Sequence, residues 1–175
     1  MLRASLAILL ALGSATLLSA QTPPASSHTS DLKNTSGQVI GTVTVTGAPH
    51  GVLLRIEAKD LSPGWHGMHF HEKADCSGAM FKNAGSHVHA ETPVVHGLLN
   101  ANANDAGDLP NLFVSADSSA TVELYSTLVT FNSGDHRPAL LDKDGSALVI
   151  HAHPDDYKSS RSAAPGIVSL APKFG

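Results

Sequence analysis

The sequence predicts an all-β fold, a sandwich or barrel of short strands, on three observations. Stretches rich in Val, Ile, Thr and Leu recur between Gly, Pro, Asn and Asp turns. No segment combines a period of 3.6 with capping residues, so helices should be few. The hydrophobic content is 42% with only 5% aromatics, enough for one core built of Val, Leu, Ile and Ala. At 175 residues the chain is read as one domain with tails.

The elements follow in order. Residues 1–20 read as a secretory signal, with Arg3 as the positive n-region, Leu6 to Leu12 as the apolar core and Ser19-Ala20 as the cleavage site. Gly13, Ser14 and Thr16 interrupt the apolar run, so it is too short for a stable membrane span. Cleavage would leave no membrane segment, and the expected location is periplasmic or secreted. Residues 21–36 are Pro/Ser-rich and read as a flexible leader before a domain spanning 37–175. Gln38–Thr46 and Val52–Lys59 read as a hairpin turning at Gly47–Gly51. In its second arm Leu54, Ile56 and Ala58 alternate with Arg55, Glu57 and Lys59. Further strands are expected at Trp65–Glu72, Asn111–Ala116, Ala120–Phe131, Ala147–His151 and Ile167–Leu170. Residues 73–110 and 152–166 read as two long loops, which in a compact β domain are functional or disordered.

Function is read from the histidines. Six of the 11 fall within residues 66–96, and the densest run is G-W-H-G-M-H-F-H. Imidazole is the commonest side-chain ligand for copper and zinc. His69 and His71 stand at i, i+2 in a candidate strand, so both rings share one face, while His66 is out of phase. Such a pair alone is a weak signal, shared with ordinary surface strands. His87 and His96 lie in the first loop with Asp105 and Asp108, and imidazoles with carboxylates suit four-coordinate zinc. His151 ends the strand A-L-V-I-H, and Asp155 follows where it can orient ligand rings. The formal charge of −4 and the absence of any basic run argue against nucleic acid.

The ordered set G-W-H-G-M-H-F-H, A-D-C-S-G, A-G-S-H, H-G, A-G-D-L-P-N-L and L-V-I-H-A-H-P-D-D-Y resembles the secreted bacterial copper/zinc superoxide dismutases, from about Gln38 to the C-terminus. The resemblance implies a Greek-key barrel or sandwich of about eight antiparallel strands. It implies copper at His69, His71, His87 and His151, and zinc at His87, His96 and Asp108, with His87 shared. Asp155 would link the two ligand sets, His66 would be structural and Gly67 a tight spot. Copper would cycle between two oxidation states to disproportionate superoxide, with His87 taking and returning a proton.

The chain departs from the family pattern in three places. The remaining zinc histidine is replaced by Asp105. Either Asp105 ligates zinc, or His89 substitutes, or the site is weak; the first is favoured because carboxylate is a legitimate zinc ligand. Cys76 matches the loop cysteine of the family's disulfide, but Ala164 and Pro165 stand where its partner should be, so a staple worth about 2–4 kcal/mol is absent. Arg161 is the only arginine near the position of the family's superoxide-guiding residue. Its other reading is a solvated loop charge. Lys73, Lys82 and Lys158 are further candidates for a local positive path to an anionic substrate. The rival function is an exported copper/zinc buffer or delivery domain without turnover, with His28, His50, His136 and His153 as extra capture sites. Quaternary structure is expected to be monomer or homodimer.

Overall fold

The computed structural model describes residues 25–134 and 136–158, and residues 166–169 by backbone alone. Eight strands form one antiparallel sheet: β1 Ser27–Asn34, β2 Val39–Ala48, β3 Gly51–Ala58, β4 Gly64–His71, β5 Asp108–Val114, β6 Ala120–Ser126, β7 Ala147–His151 and β8 Gly166–Ser169. Their order is β5-β4-β7-β8-β1-β2-β3-β6. The two outermost strands, β5 and β6, are consecutive in the chain and joined by a tight turn in which Ser115 N–H donates to Ser119 O at 2.9 Å. The all-β expectation holds. Helix among the described residues is confined to a short 3-10 segment, Ala79–Ala84, interrupted by left-handed Met80 and Phe81.

Alternation builds the core as the sequence implies. In β3, Leu54 and Ile56 are fully buried while Arg55 and Glu57 are exposed. The turn into β3 is shorter than expected, with Ala48 paired to Gly51. A Cβ at Gly51 would overlap Ser126 O, so the backbone approach there admits only glycine.

Three expectations need correction. Part of the supposed leader 21–36 is not flexible: Ser27–Asn34 form β1, which pairs with β2 over most of its length and with β8 at Lys33 and Asn34. Polar Ser, Thr, Asp and Lys occupy its outward positions, and Leu32 alone is fully buried. A strand with one apolar anchor gives little periodic signal. Strand β5 begins at Asp108, three residues before the expected start. Pro110 argues against a central strand, but β5 is an edge strand, where the missing N–H is tolerated. Strand β6 ends at Ser126 rather than Phe131.

Strand β4 positions the functional site. Met68 and Phe70 enter the main core, so the strand's alternation turns His69 and His71 to the opposite face. Strand β7 does the same, with Leu148 and Ile150 in the core and Ala147 and Val149 in a second cluster with Ala84. Loops 72–107 and 152–158 cover this outer face, so His69 is fully buried although it lies outside the barrel core.

Candidate metal centre

Three strands and one loop bring the histidines together. His69 is the Cα partner of Val149 on one side of β4 and of Asp108 on the other. His71 pairs with Ala147 and forms an isolated bridge with His87. The loop carrying His87 is docked by Val88 N–H on Phe70 O at 2.8 Å. His151 enters from the end of β7, with Nε2 2.9 Å from His69 Nδ1. His69, His71, His87 and His151 thereby form one group whose donor atoms lie within 4.8 Å of one another. His69, His87, His96 and Asp108 form a second.

The ring of His87 separates the two sides. Its Nδ1 lies 2.6 Å from Asp105 Oδ2 and 3.9 Å from Asp108 Oδ1. His96 Nδ1 lies 2.5 Å from Asp108 Oδ1 and 3.4 Å from Asp105 Oδ2. A tetrahedral zinc with ligand arms near 2.0–2.1 Å needs donor separations of about 3.3 Å, which these four distances bracket. Asp105 thus reaches the carboxylate side directly, held by Gly107 N–H donating to its Oδ1 at 2.9 Å. Asp105 and His89 both stand outside the two groups; His89 Nδ1 lies 2.7 Å from the His87 carbonyl, whereas Asp105 Oδ2 faces the His87 and His96 rings.

The donor atoms are oriented from behind. His71 Nδ1 donates to Gly85 O at 2.9 Å, which leaves Nε2 to face the group. Asp155 Oδ2 lies 3.2 Å from His69 Nε2 and 2.8 Å from His96 Nε2, joining the two sides. His66 belongs to neither group; its Nδ1 lies 2.7 Å from His151 O and its Nε2 2.8 Å from Ser62 O. A Cβ at Gly67 would sit 3.3 Å from Asp155 N and 3.4 Å from His153 O, so a side chain there would crowd the Asp155 loop.

The site fits metal ions. His71 Nε2, His87 Nε2, His96 Nε2 and Asp108 Oδ1 are buried without hydrogen-bond partners, the last two standing within ion-pair distance of Asp155 and His96. Buried polar atoms are costly in that condition, and metal ligation is the chemistry that satisfies them. Burial pushes the His71 imidazole down to about 4, so it stays neutral and ligand-ready. Burial likewise lowers His69. The Asp105 and Asp108 carboxylates facing its ring raise His96 to about 11. Burial opposes ionisation of Asp105, but hydrogen bonds with His87 and His96 outweigh it and hold the carboxyl well below the usual range. Asp155 shows the same balance, with burial opposed by hydrogen bonds from His69, the Tyr157 backbone and His96.

Residues 39–169 match the family model described as copper/zinc superoxide dismutase (SODC). The chain belongs to the copper/zinc superoxide dismutase family. A copper-zinc superoxide dismutase of Caulobacter vibrioides is 56% identical over 140 residues, covering 80% of each chain. A second, from Aquifex aeolicus, is 36% identical over 155 residues, 88% of this chain and 90% of that one. The crystal structure of a superoxide-dismutase-like protein from Bacillus subtilis superposes with a TM-score of 0.77 at 32% identity, covering 85% of this chain and 99% of the other. The chain is thus an oxidoreductase of this family, whose cofactors are copper and zinc.

Arg161 lies outside the described residues, as do Ala164, Pro165 and the expected signal 1–20. Cys76 is the only cysteine, so no internal disulfide forms. Sequence reasoning missed Asn111 and Tyr157. Asn111 Nδ2 donates to Asp155 O at 2.9 Å, and Asp155 N–H donates to Asn111 Oδ1 at 2.9 Å. Asn111 N–H donates to Tyr157 Oη at 2.5 Å. Their motifs were visible, but a contact spanning some forty residues leaves no local signal.

Proposed function

We propose that this chain disproportionates superoxide to oxygen and hydrogen peroxide, with copper held by His69, His71, His87 and His151. Zinc is held by His87, His96, Asp105 and Asp108, a set altered at Asp105. The observation that carries this reading is the placement of His87. One ring nitrogen faces Asp105 and Asp108, and the other is buried without a hydrogen-bond partner beside His71. Bound copper supplies one-electron chemistry by alternating between two oxidation states.

The chain's own residues do the rest. His87 Nε2 takes a proton and returns it, while Nδ1 stays engaged on the carboxylate side and keeps the ring in place. Asp155 holds His69 and His96 in their ligating tautomers through their Nε2 atoms. His66 Nδ1 lies 2.7 Å from the His151 carbonyl, so the ligand at the end of β7 has a support from β4. His71 is the only half-exposed member of the four-histidine group, which marks the side from which an anion approaches. Arg161 guides superoxide, aided by Lys73, Lys82 and Lys158, because steering depends on the local field rather than on the negative net charge.

We also infer export after cleavage of residues 1–20, to the periplasm or the medium, as a monomer or homodimer. Among the described residues no helix is long and apolar enough to cross a membrane. The deciding experiment loads the purified chain with copper and zinc and follows superoxide decay beside His151→Ala. The reading expects fast decay for the loaded chain and a large loss in the variant. A chain that binds copper tightly yet leaves decay at the buffer rate would instead be a metal buffer.

A further inference from the structure

We propose that Asn111 is a positioning residue of the metal centre, acting only through Asp155. The proposal rests on the zinc assignment above. Asp155 sits on the loop after β7, and no disulfide secures that loop because the chain has a single cysteine. Its carboxylate nevertheless has to hold two rings at once, His69 at 3.2 Å and His96 at 2.8 Å.

The side-chain amide of Asn111 provides the anchor. It donates to the carbonyl of Asp155 and accepts from its N–H, so it grips both backbone polar groups of one residue, as a paired strand would. The backbone roles are fixed, so the amide has one possible orientation. Tyr157 N–H then occupies Asp155 Oδ1 at 2.9 Å, which leaves Oδ2 for the two imidazoles. Tyr157 is tied back through its hydroxyl to Asn111 N–H and through its carbonyl to Leu99 N–H at 2.9 Å. Asn111 stands three residues after Asp108 on β5. One rigid strand therefore carries a zinc-side ligand directly and holds the Asp155 carboxylate through the amide. No other residue type of this size both donates and accepts with a neutral planar group.

The test is a double-mutant cycle read by zinc affinity, measured by chelator competition on the copper-loaded protein. Asn111→Asp keeps size and the acceptor but loses the donor to the Asp155 carbonyl. We expect it to weaken zinc about 10–100-fold, the usual cost of losing a group that orients a metal ligand. Asp155→Ala is expected to weaken zinc at least as much. In the Asp155→Ala background, Asn111→Asp should change zinc affinity less than about twofold, because the residues act as one unit. Tyr157→Phe, which leaves the amide in place, should show a smaller loss. A full Asn111→Asp effect surviving without Asp155 would overturn the proposal. So would zinc affinity unchanged in Asn111→Asp while Asp155→Ala weakens it. If Asp155→Ala itself leaves zinc affinity unchanged, the proposal falls while the zinc ligand set stands; loss of zinc binding in neither Asp108→Ala nor His96→Ala would instead sink the ligand set.

Discussion

Asp105 Oδ2 lies 2.6 Å from Nδ1 of His87, on the opposite edge of the ring from the buried, partnerless Nε2. A carboxylate therefore stands in direct contact with the ring that both sides of the site share. The altered position in the family pattern is coupled to the four-histidine group through one side chain.

Removing that carboxylate separates the two metals. Asp105→Ala should weaken zinc by at least about 100-fold, since a direct ligand outweighs the groups behind it. Copper at the four histidines should remain. On the proposed ligand set Asp105→His should change zinc retention little, because Asp105 Oδ2 already faces His87 at 2.6 Å and His96 at 3.4 Å. Elemental analysis after exhaustive dialysis checks all three proteins.

The two sides should respond differently to pH. In the metal-free protein His96 is raised to about 11, so at neutral pH its Nδ1 carries a proton that zinc has to displace. Apparent zinc affinity should rise about tenfold per pH unit between pH 7 and 9 on account of His96, with one proton released. His71 is depressed to about 4 and already neutral there, so it should add no proton release to copper uptake until the pH falls toward 4. Calorimetry in buffers of different ionisation enthalpy measures both proton counts.

Strand β1 should matter to stability despite its polar sequence. Leu32 is fully buried, and Leu32→Ala should cost about 2–5 kcal/mol in denaturant unfolding of the metal-free chain. A flexible leader would show no change.

Gly67→Ala places a methyl 3.3 Å from Asp155 N. The backbone of the 152–158 loop has to shift by a few tenths of an ångström, and overpacking of this kind costs about 1–3 kcal/mol. The same shift should weaken zinc, because Asp155 moves with its loop. Denaturant midpoint and chelator competition should change together.

Reducing agent should leave the thermal midpoint unchanged. The chain has a single cysteine, so there is no internal bridge to cut.

Much of this fold was legible because alternation wrote it. The hairpin of β2 and β3, and strands β4 and β7, lie where Leu54, Ile56, Leu148 and Ile150 announce a buried face. The site was legible for a different reason: imidazoles are costly to bury, so their clustering carries chemical meaning. The illegible parts share a cause. Strand β1 has one apolar anchor, and its place depends on β2 and β8 rather than on its own residues. The role of Asn111 depends on Asp155, which folding alone brings beside it. His89, which H-V-H offered as a substitute for Asp105, turns its ring to the His87 carbonyl.

Strand β1 has a consequence for how the chain ages in a protease-rich setting. In the order β5-β4-β7-β8-β1-β2-β3-β6 it pairs with β2 on one side and β8 on the other. Loss of residues 27–34 would leave the facing edges of β2 and β8 unpaired, backbone of the kind that recruits other strands. The result would be a seed for aggregation rather than a trimmed enzyme. The integrity of residues 27–34 is thus as critical to the working lifetime of the fold as any ligand.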